Sequence, residues 1–235
     1  MTTAKPKASS SSSANSSSSA SAAPARAARA DGDATRSTIL DVAGQVFAER
    51  GYADATSKEI CTRAGVNMAS VNYHFGSRGG LYQAVLVEAH NHLLRLEEMQ
   101  ALAAGEGDPR QKLGAILGRI VEHVTGPRAH WGSRVVVREL LTPSEHAAVL
   151  MQQAIAPKAK VLIGVVSRIV GLPPTHPAMQ RGLFFTMAPC LAMLMAPREL
   201  RTDVLPGLGA APADVAADLL RYALAGLDAI AAQHR

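Results

Sequence analysis

The chain has 235 residues, 48% of them apolar, enough for a real hydrophobic core in one or two domains. Its formal charge is +5 and its pI near 9.5. That balance permits a polyanionic partner, but the excess is spread as +2 over residues 1–35 (four basic, two acidic), +1 over 36–82 (five, four) and +2 beyond (fifteen, thirteen), so charge alone supports no nucleic-acid claim. Two distant cysteines, Cys61 and Cys190, exclude a disulfide framework and a cysteine-based metal site and fit a reducing cytoplasm.

Residues 1–30 hold ten serines and almost no large apolar side chain. Such a stretch buries too little surface to offset its ordering entropy, so residues 1–34 are read as a disordered tail. It is either a plain linker or a weak helper whose Lys5, Lys7, Arg26 and Arg29 touch phosphates without sequence preference. It lacks the basic start and apolar run of a signal peptide.

From Arg36 the helical period takes over. Ile39, Val42, Ala43, Val46 and Phe47 form one apolar face, and Arg50-Gly51 stops the helix. Thr56 to Glu59 has the spacing of a capping box, with Thr56 capping and Glu59 reaching back; Ile60 and Ala64 then face inward and Gly65 turns the chain. Asn67 caps a third helix through Phe75, with Val71 and Phe75 inward. Ser77 caps a fourth, whose buried side runs Leu81, Val85, Ala89, Leu93, Leu96 and Met99, past residue 100. Asp108-Pro109 opens a fifth helix, residues 130–141 form a sixth, and Ile155 to Val170 lie on a seventh. Met179 to Ala196 and Ala213 to Ala232 complete an all-α chain of about nine helices. Its longest apolar run, Leu183 to Ala196, is broken by Pro189 and falls short of the roughly 20 residues a bilayer needs, so a soluble, cytoplasmic protein is expected.

The informative stretch is Thr56 to Leu81. A short capped helix, a glycine turn and a second short helix make a helix-turn-helix, and Met68, Ala69, Ser70, Tyr73 and His74 are left on its outer face. Small groups, a hydroxyl and two rings suit a helix pressed into a major groove, where a long acidic side chain is repelled. On these residues the chain resembles the TetR family over about 47 residues. The resemblance rests on Phe47-Ala48-Glu49-Arg50-Gly51-Tyr52, the Thr56 to Val66 turn, and Tyr73-His74-Phe75-Gly76-Ser77 followed by Leu81. The run Val71 to Phe75 looks like a subgroup of TetR-like repressors tied to transport and stress genes. Two positions depart from the family pattern: Asn72 stands where tyrosine is common, and Arg78-Gly79 where Lys-Glu is common.

The resemblance implies a three-helix DNA-binding domain over residues 35–82 and a larger ligand-binding and dimerisation domain over 83–235. It implies phosphate contacts from Ser57, Asn72 and Arg78 beside the amino end of the fourth helix, where Ser77 sits. Lys58, Asn67, Met68, Ala69, Ser70, Tyr73 and His74 would lie at or near base edges. Against this stand plainer readings: Tyr73 and His74 as surface rings packed on the first helix, and Lys58 as a solvated charge.

The later part of the chain shows no nucleophile with its base, no phosphate loop and no ligand cluster, so neither enzyme activity, cofactor nor metal is expected. Met151 and Met187, with Trp131 and Phe184, suggest an adaptable apolar pocket, or else ordinary core. Arg134 and Arg138 would meet a polar group of the ligand or pair with Glu139. Leu183, Leu191, Leu194, Leu219, Tyr222 and Leu227 are expected at a two-fold interface of four helices. The functional expectation is a homodimeric repressor on a palindromic double-stranded operator, released when a small, largely apolar effector shifts the fourth helix. An activator or ligand-independent regulator of the same fold is the alternative, and a helical carrier or enzyme a remoter one.

Overall fold

The computed structural model describes residues 1–3, 22–126, 130–197 and 199–234, with side chains from residue 31 onward in the helical part. The serine-rich stretch and the side chains of Lys5, Lys7, Arg26 and Arg29 lie outside the described residues. Met1–Ser37 and Thr38–Arg235 are separate units. In the first, helix α1 (Ala22–Asp54) already begins at Ala22, where a disordered tail was expected, because its Ala/Arg-rich start has high intrinsic helix propensity.

The second unit holds the end of α1 and nine further helices. These are α2 (Ser57–Ala64), α3 (Met68–Phe75), α4 (Arg78–Asn91), α5 (Leu96–Ala103) and α6 (Pro109–Thr125). Then come α7 (Trp131–Leu141), α8 (Ala147–Val170), α9 (Pro177–Met195) and α10 (Pro212–Gln233). No strand occurs among the described residues, so the fold is all-α. Helix α8 is wound as a π-helix over Leu150–Ile155, and α9 continues through Pro189.

Ten helices replace the nine expected because the fourth does not run past residue 100. It stops at Asn91, and α5 restarts at Leu96. The apolar period continues across the break, which hides it from periodicity. At the break the His90 carbonyl accepts from the Leu93 amide at 3.2 Å and from the Lys158 ammonium of α8 at 3.1 Å, so a tertiary donor holds the end of α4.

Two cores result. One joins Ile39, Val46 and Phe47 of α1 to Ile60, Val71, Leu81 and Val85, and also takes in Trp131 and Val135 of α7 and Leu150 of α8. The other is built by α6 with Leu162, Val166, Met179, Leu219 and Leu227 from α8, α9 and α10. Helix α4 touches α3 on one side and α7 and α8 on the other, so it is the mechanical link between the two ends of the unit.

Helices α8 and α9, at 24 and 19 residues, reach the length and mean hydropathy of a membrane span. The sequence count stopped at Leu183, but α9 begins six residues earlier, at Pro177. Both helices pack against α6, and their apolar residues belong to the second core or border the cavity described below.

Candidate nucleic-acid interface and ligand cavity

The α2–α3 unit is held by caps and ion pairs. Thr56 Oγ1 accepts from the Glu59 amide at 3.2 Å. Glu59 does not reach back in a capping box; its carboxylate is taken by Arg63 at 2.7 Å and Arg50 at 2.9 Å, and Arg63 also bonds Glu49 at 2.8 Å. The carboxylate gains more from two guanidinium groups than from one amide, and the exchange ties α2 to the end of α1. Gly65, at φ 66° and ψ 28°, adopts the left-handed turn that side chains resist. Asn67 Oδ1 accepts from the Ser70 amide at 2.9 Å, capping α3, and Ser77 Oγ accepts from the Gly80 amide at 3.0 Å, capping α4.

Val71 is the buried anchor of α3. The opposite face presents Met68 and Ala69, with Asn67 before them and Asn72 and Tyr73 beyond; Ser70 and His74 are half-buried. Tyr73 is 84% exposed, so it does not pack on α1; its ring meets only that of His74, 4.9 Å away and nearly perpendicular. Lys58 and Ser77 are exposed, and Ser57 is half-buried.

Arg78 departs from expectation. Its guanidinium donates to the Tyr52 carbonyl and, at 3.4 Å, to that of Ala53, and it lies 4.3 Å over the Tyr52 ring. The Tyr52 and Ala53 carbonyls lie in the last turn of α1, where helical partners run out, and a guanidinium satisfies them while stacking on the ring. Arg78 thus fastens α4 to α1 rather than standing free on the outer face.

Farther along α4 lies a cavity of about 530 Å³. His90, Leu93 and Leu94 border it at the end of α4, Met99 from α5, Ile120 and Val124 from α6, and Val136 and Leu140 from α7. Met151, Ile155, Lys158, Ala159 and Leu162 contribute from α8, and Gln180, Leu183, Phe184, Met187, Cys190, Leu191 and Leu194 from α9. Three of the expected pocket residues, Met151, Phe184 and Met187, are therefore present.

The other three are elsewhere. Trp131 is buried in the first core, where its Nε1 donates to Asp41 at 2.8 Å and a Cβ at Gly44 would lie 2.5 Å from the indole. Arg138 extends toward Gly51, and Arg134 is exposed. Glu139 pairs with neither arginine: buried, it accepts from the Tyr82 hydroxyl at 2.8 Å and from the Ser144 amide and hydroxyl at 3.0 and 2.8 Å. Sequence reading placed the whole tryptophan helix at the pocket because it could not tell which of two cores that helix joins.

It also missed Lys158 and His90. Lys158 stands three residues after Ile155 and four before Leu162, squarely on the apolar face, which was the available signal. Its side chain is 4% exposed, and its ammonium donates to His90 Nδ1 at 2.8 Å, the His90 carbonyl at 3.1 Å and Asn91 Oδ1 at 3.1 Å. Burial lowers it to about 8, and burial with the neighbouring Lys158 charge lowers His90 to about 3.

Of the expected interface residues, Leu219 and Leu227 are buried in the second core, at 8% and 1% exposure. Helix α10 lies along α6, and Leu227 approaches Gly182 of α9. Leu183, Leu191 and Leu194 border the cavity, and Tyr222 is exposed. Among the described residues no cluster of three metal-binding side chains occurs.

A capped helix, a glycine turn and an outward-facing second helix, set on a larger helical body, define a helix-turn-helix regulator. Residues 39–85 match the family model of bacterial regulatory proteins of the tetR family. Residues 109–230, half of the chain, match the C-terminal domain of the HTH-type transcriptional dual regulator CecR. The chain belongs to the TetR family of transcriptional regulators.

It is 29% identical over 115 residues to the HTH-type transcriptional regulator SrpR of Pseudomonas putida, covering 49% of this chain and 51% of that one. It is 30% identical over 96 residues to the HTH-type transcriptional regulator TtgR of Pseudomonas putida, covering 40% and 46%. The chain thus spans about half the length of these curated relatives. Its fold is shared with the transcriptional regulator FadR of Bacillus subtilis, crystallised with stearoyl-CoA, at a TM-score of 0.60 and 17% identity over 80% of this chain and 97% of that one.

Proposed function

We propose that this protein is a homodimeric repressor that holds a palindromic operator and is released by a small, largely apolar effector. The observation that carries this reading is the course of α4. One end packs on α3 and is fastened to α1 by Arg78, and the other, at His90, borders the cavity. A ligand that favours one position of α4 over another biases the spacing of two recognition helices; couplings of about 1–3 kcal/mol suffice for such control. The residues divide accordingly into a tail over 1–34, a DNA-binding domain over 35–82 and an effector and dimerisation domain over 83–235 in a cytoplasmic protein.

In the bound state Met68, Ala69, Ser70, Tyr73 and His74 approach base edges from α3, assisted by Asn67 and Lys58. Ser57 and Ser77, at helix amino ends, and Asn72 on α3 hold phosphates. Arg78 contributes through its hold on α1. The dimer face is carried by the exposed Phe185 of α9 and Tyr222 of α10, a patch suited to a four-helix bundle across a two-fold axis. The match to the C-terminal domain of a dual regulator supports a second reading, activation at some promoters through the same DNA contacts.

Binding of the purified protein to the intergenic DNA flanking its own gene tests the proposal. The wild type is expected to bind specifically at moderate salt, and Tyr73→Ala to weaken binding about tenfold, the loss of one good base contact. A verified dimer that binds this DNA no better than an unrelated duplex would refute it.

A further inference from the structure

We propose that the cavity takes an amphipathic organic anion, an apolar body ending in a single carboxylate, and that Lys158 receives the carboxylate. The inference rests on the reading of this cavity as the effector site. Its walls are apolar, with the Phe184 ring and the Cys190 thiol beside aliphatic and thioether side chains, apart from three polar residues: His90, Lys158 and Gln180. Of these only Lys158 carries a full charge. Its three acceptors are an imidazole nitrogen, a backbone carbonyl and a side-chain amide, all neutral. With the ammonium donating to Nδ1, the His90 proton sits on Nε2, so that ring offers no negative charge.

Among the described residues no carboxylate oxygen lies within ion-pair distance of the Lys158 ammonium. Glu88, the nearest acid on α4, is engaged by Arg95 at 3.2 Å, and Glu97 is exposed. A buried cation without a counter-ion is costly, and proteins retain such charges where something else completes the pair. Attraction from Glu97 and Glu88 raises the basicity of Lys158, but burial outweighs it and holds the group at about 8, so an entering carboxylate supplies the closer counter-charge. The mouth has the matching chemistry, because Met151, Phe184 and Leu191 are at least 40% exposed along the cavity rim and accept an apolar chain. The carboxylate also competes for the donor that satisfies the last carbonyls of α4, so binding bears on the helix that reaches the recognition unit.

The full-length protein is titrated calorimetrically with dodecanoate and with dodecan-1-ol, both below their micellar concentrations. One dodecanoate per chain, bound at least about tenfold more tightly than the alcohol, is expected for a buried charge-assisted pair. Lys158→Met removes that preference by lowering dodecanoate affinity to that of the alcohol, and Ala159→Phe, which fills the cavity, removes both ligands. Equal wild-type affinities, no binding of either probe, a preference that survives Lys158→Met, or binding that survives Ala159→Phe each overturn the inference. The wild-type comparison does not depend on any variant folding. Operator release is scored separately. A Lys158-dependent preference with no change in DNA affinity upholds the cavity chemistry and refutes the effector reading, whereas specific DNA binding with no carboxylate preference does the reverse.

Discussion

Replacing Phe47 by alanine is expected to lower the unfolding free energy by about 3–5 kcal/mol, the range for emptying a buried aromatic site. Phe47 is 1% exposed, and its ring meets that of Tyr82 edge-on at 4.7 Å and that of Tyr52 at 6.2 Å. Collapse into the space is resisted because the neighbours are fixed. The Tyr82 hydroxyl is bonded to buried Glu139, and the Tyr52 ring carries the Arg78 guanidinium. The same ring cluster seats α1 against α4, so DNA binding should fall with stability. In thermal unfolding a loss of this size is a drop of about 10 °C for a chain of this length. Urea titration gives the free energy directly. A change below about 1 kcal/mol would mean that the site repacks and that Phe47 is not the clamp described here.

Acidification is expected to cost about 2 kcal/mol between pH 7 and pH 5 through His90 alone. Burial first, and the Lys158 charge second, hold His90 down to about 3, against an ordinary value of 6.5. An unfolded chain takes up the proton near pH 6.5, while the folded protein refuses it until about pH 3. The stability due to neutral His90 is therefore complete above pH 6.5 and is lost as the pH falls toward 3, at about 1.4 kcal/mol per unit. His92 and His130 act in the same direction. Both are lowered chiefly by burial, His92 also by His130, and their ring centroids are 3.8 Å apart. The check is urea unfolding at pH 7 and pH 5 for the wild type and for His90→Gln, whose side chain still accepts from Lys158. The variant should lose about 2 kcal/mol less than the wild type over that interval; equal losses would remove His90 from the account.

Much of the recognition unit was legible in the sequence because its determinants are local. Thr56, Asn67 and Ser77 each cap the helix that follows within three residues, Gly65 turns where only a short-range conformation is at stake, and Val71 is buried by a period of one helix. Arg78 escaped local reading for the opposite reason: its partners, the Tyr52 and Ala53 carbonyls in the last turn of α1, lie 26 and 25 residues away.

The sequence by itself settled the helical class, the helix-turn-helix register and the buried faces, since each follows from spacing along one helix. Which face met which neighbour was decided by the tertiary structure. Trp131 and Leu227 are both apolar residues at helical spacing, yet one packs on Gly44 of α1 and the other in the core built by α6. Lys158 reads as an interruption of an apolar stripe until the fold brings the end of α4 to it, 67 and 68 residues away, where it ends one helix and charges the wall of a cavity. Periodicity records that a side chain is buried; only the packing of distant segments determines what surrounds it, and in a low-dielectric interior those surroundings set both its charge and its use.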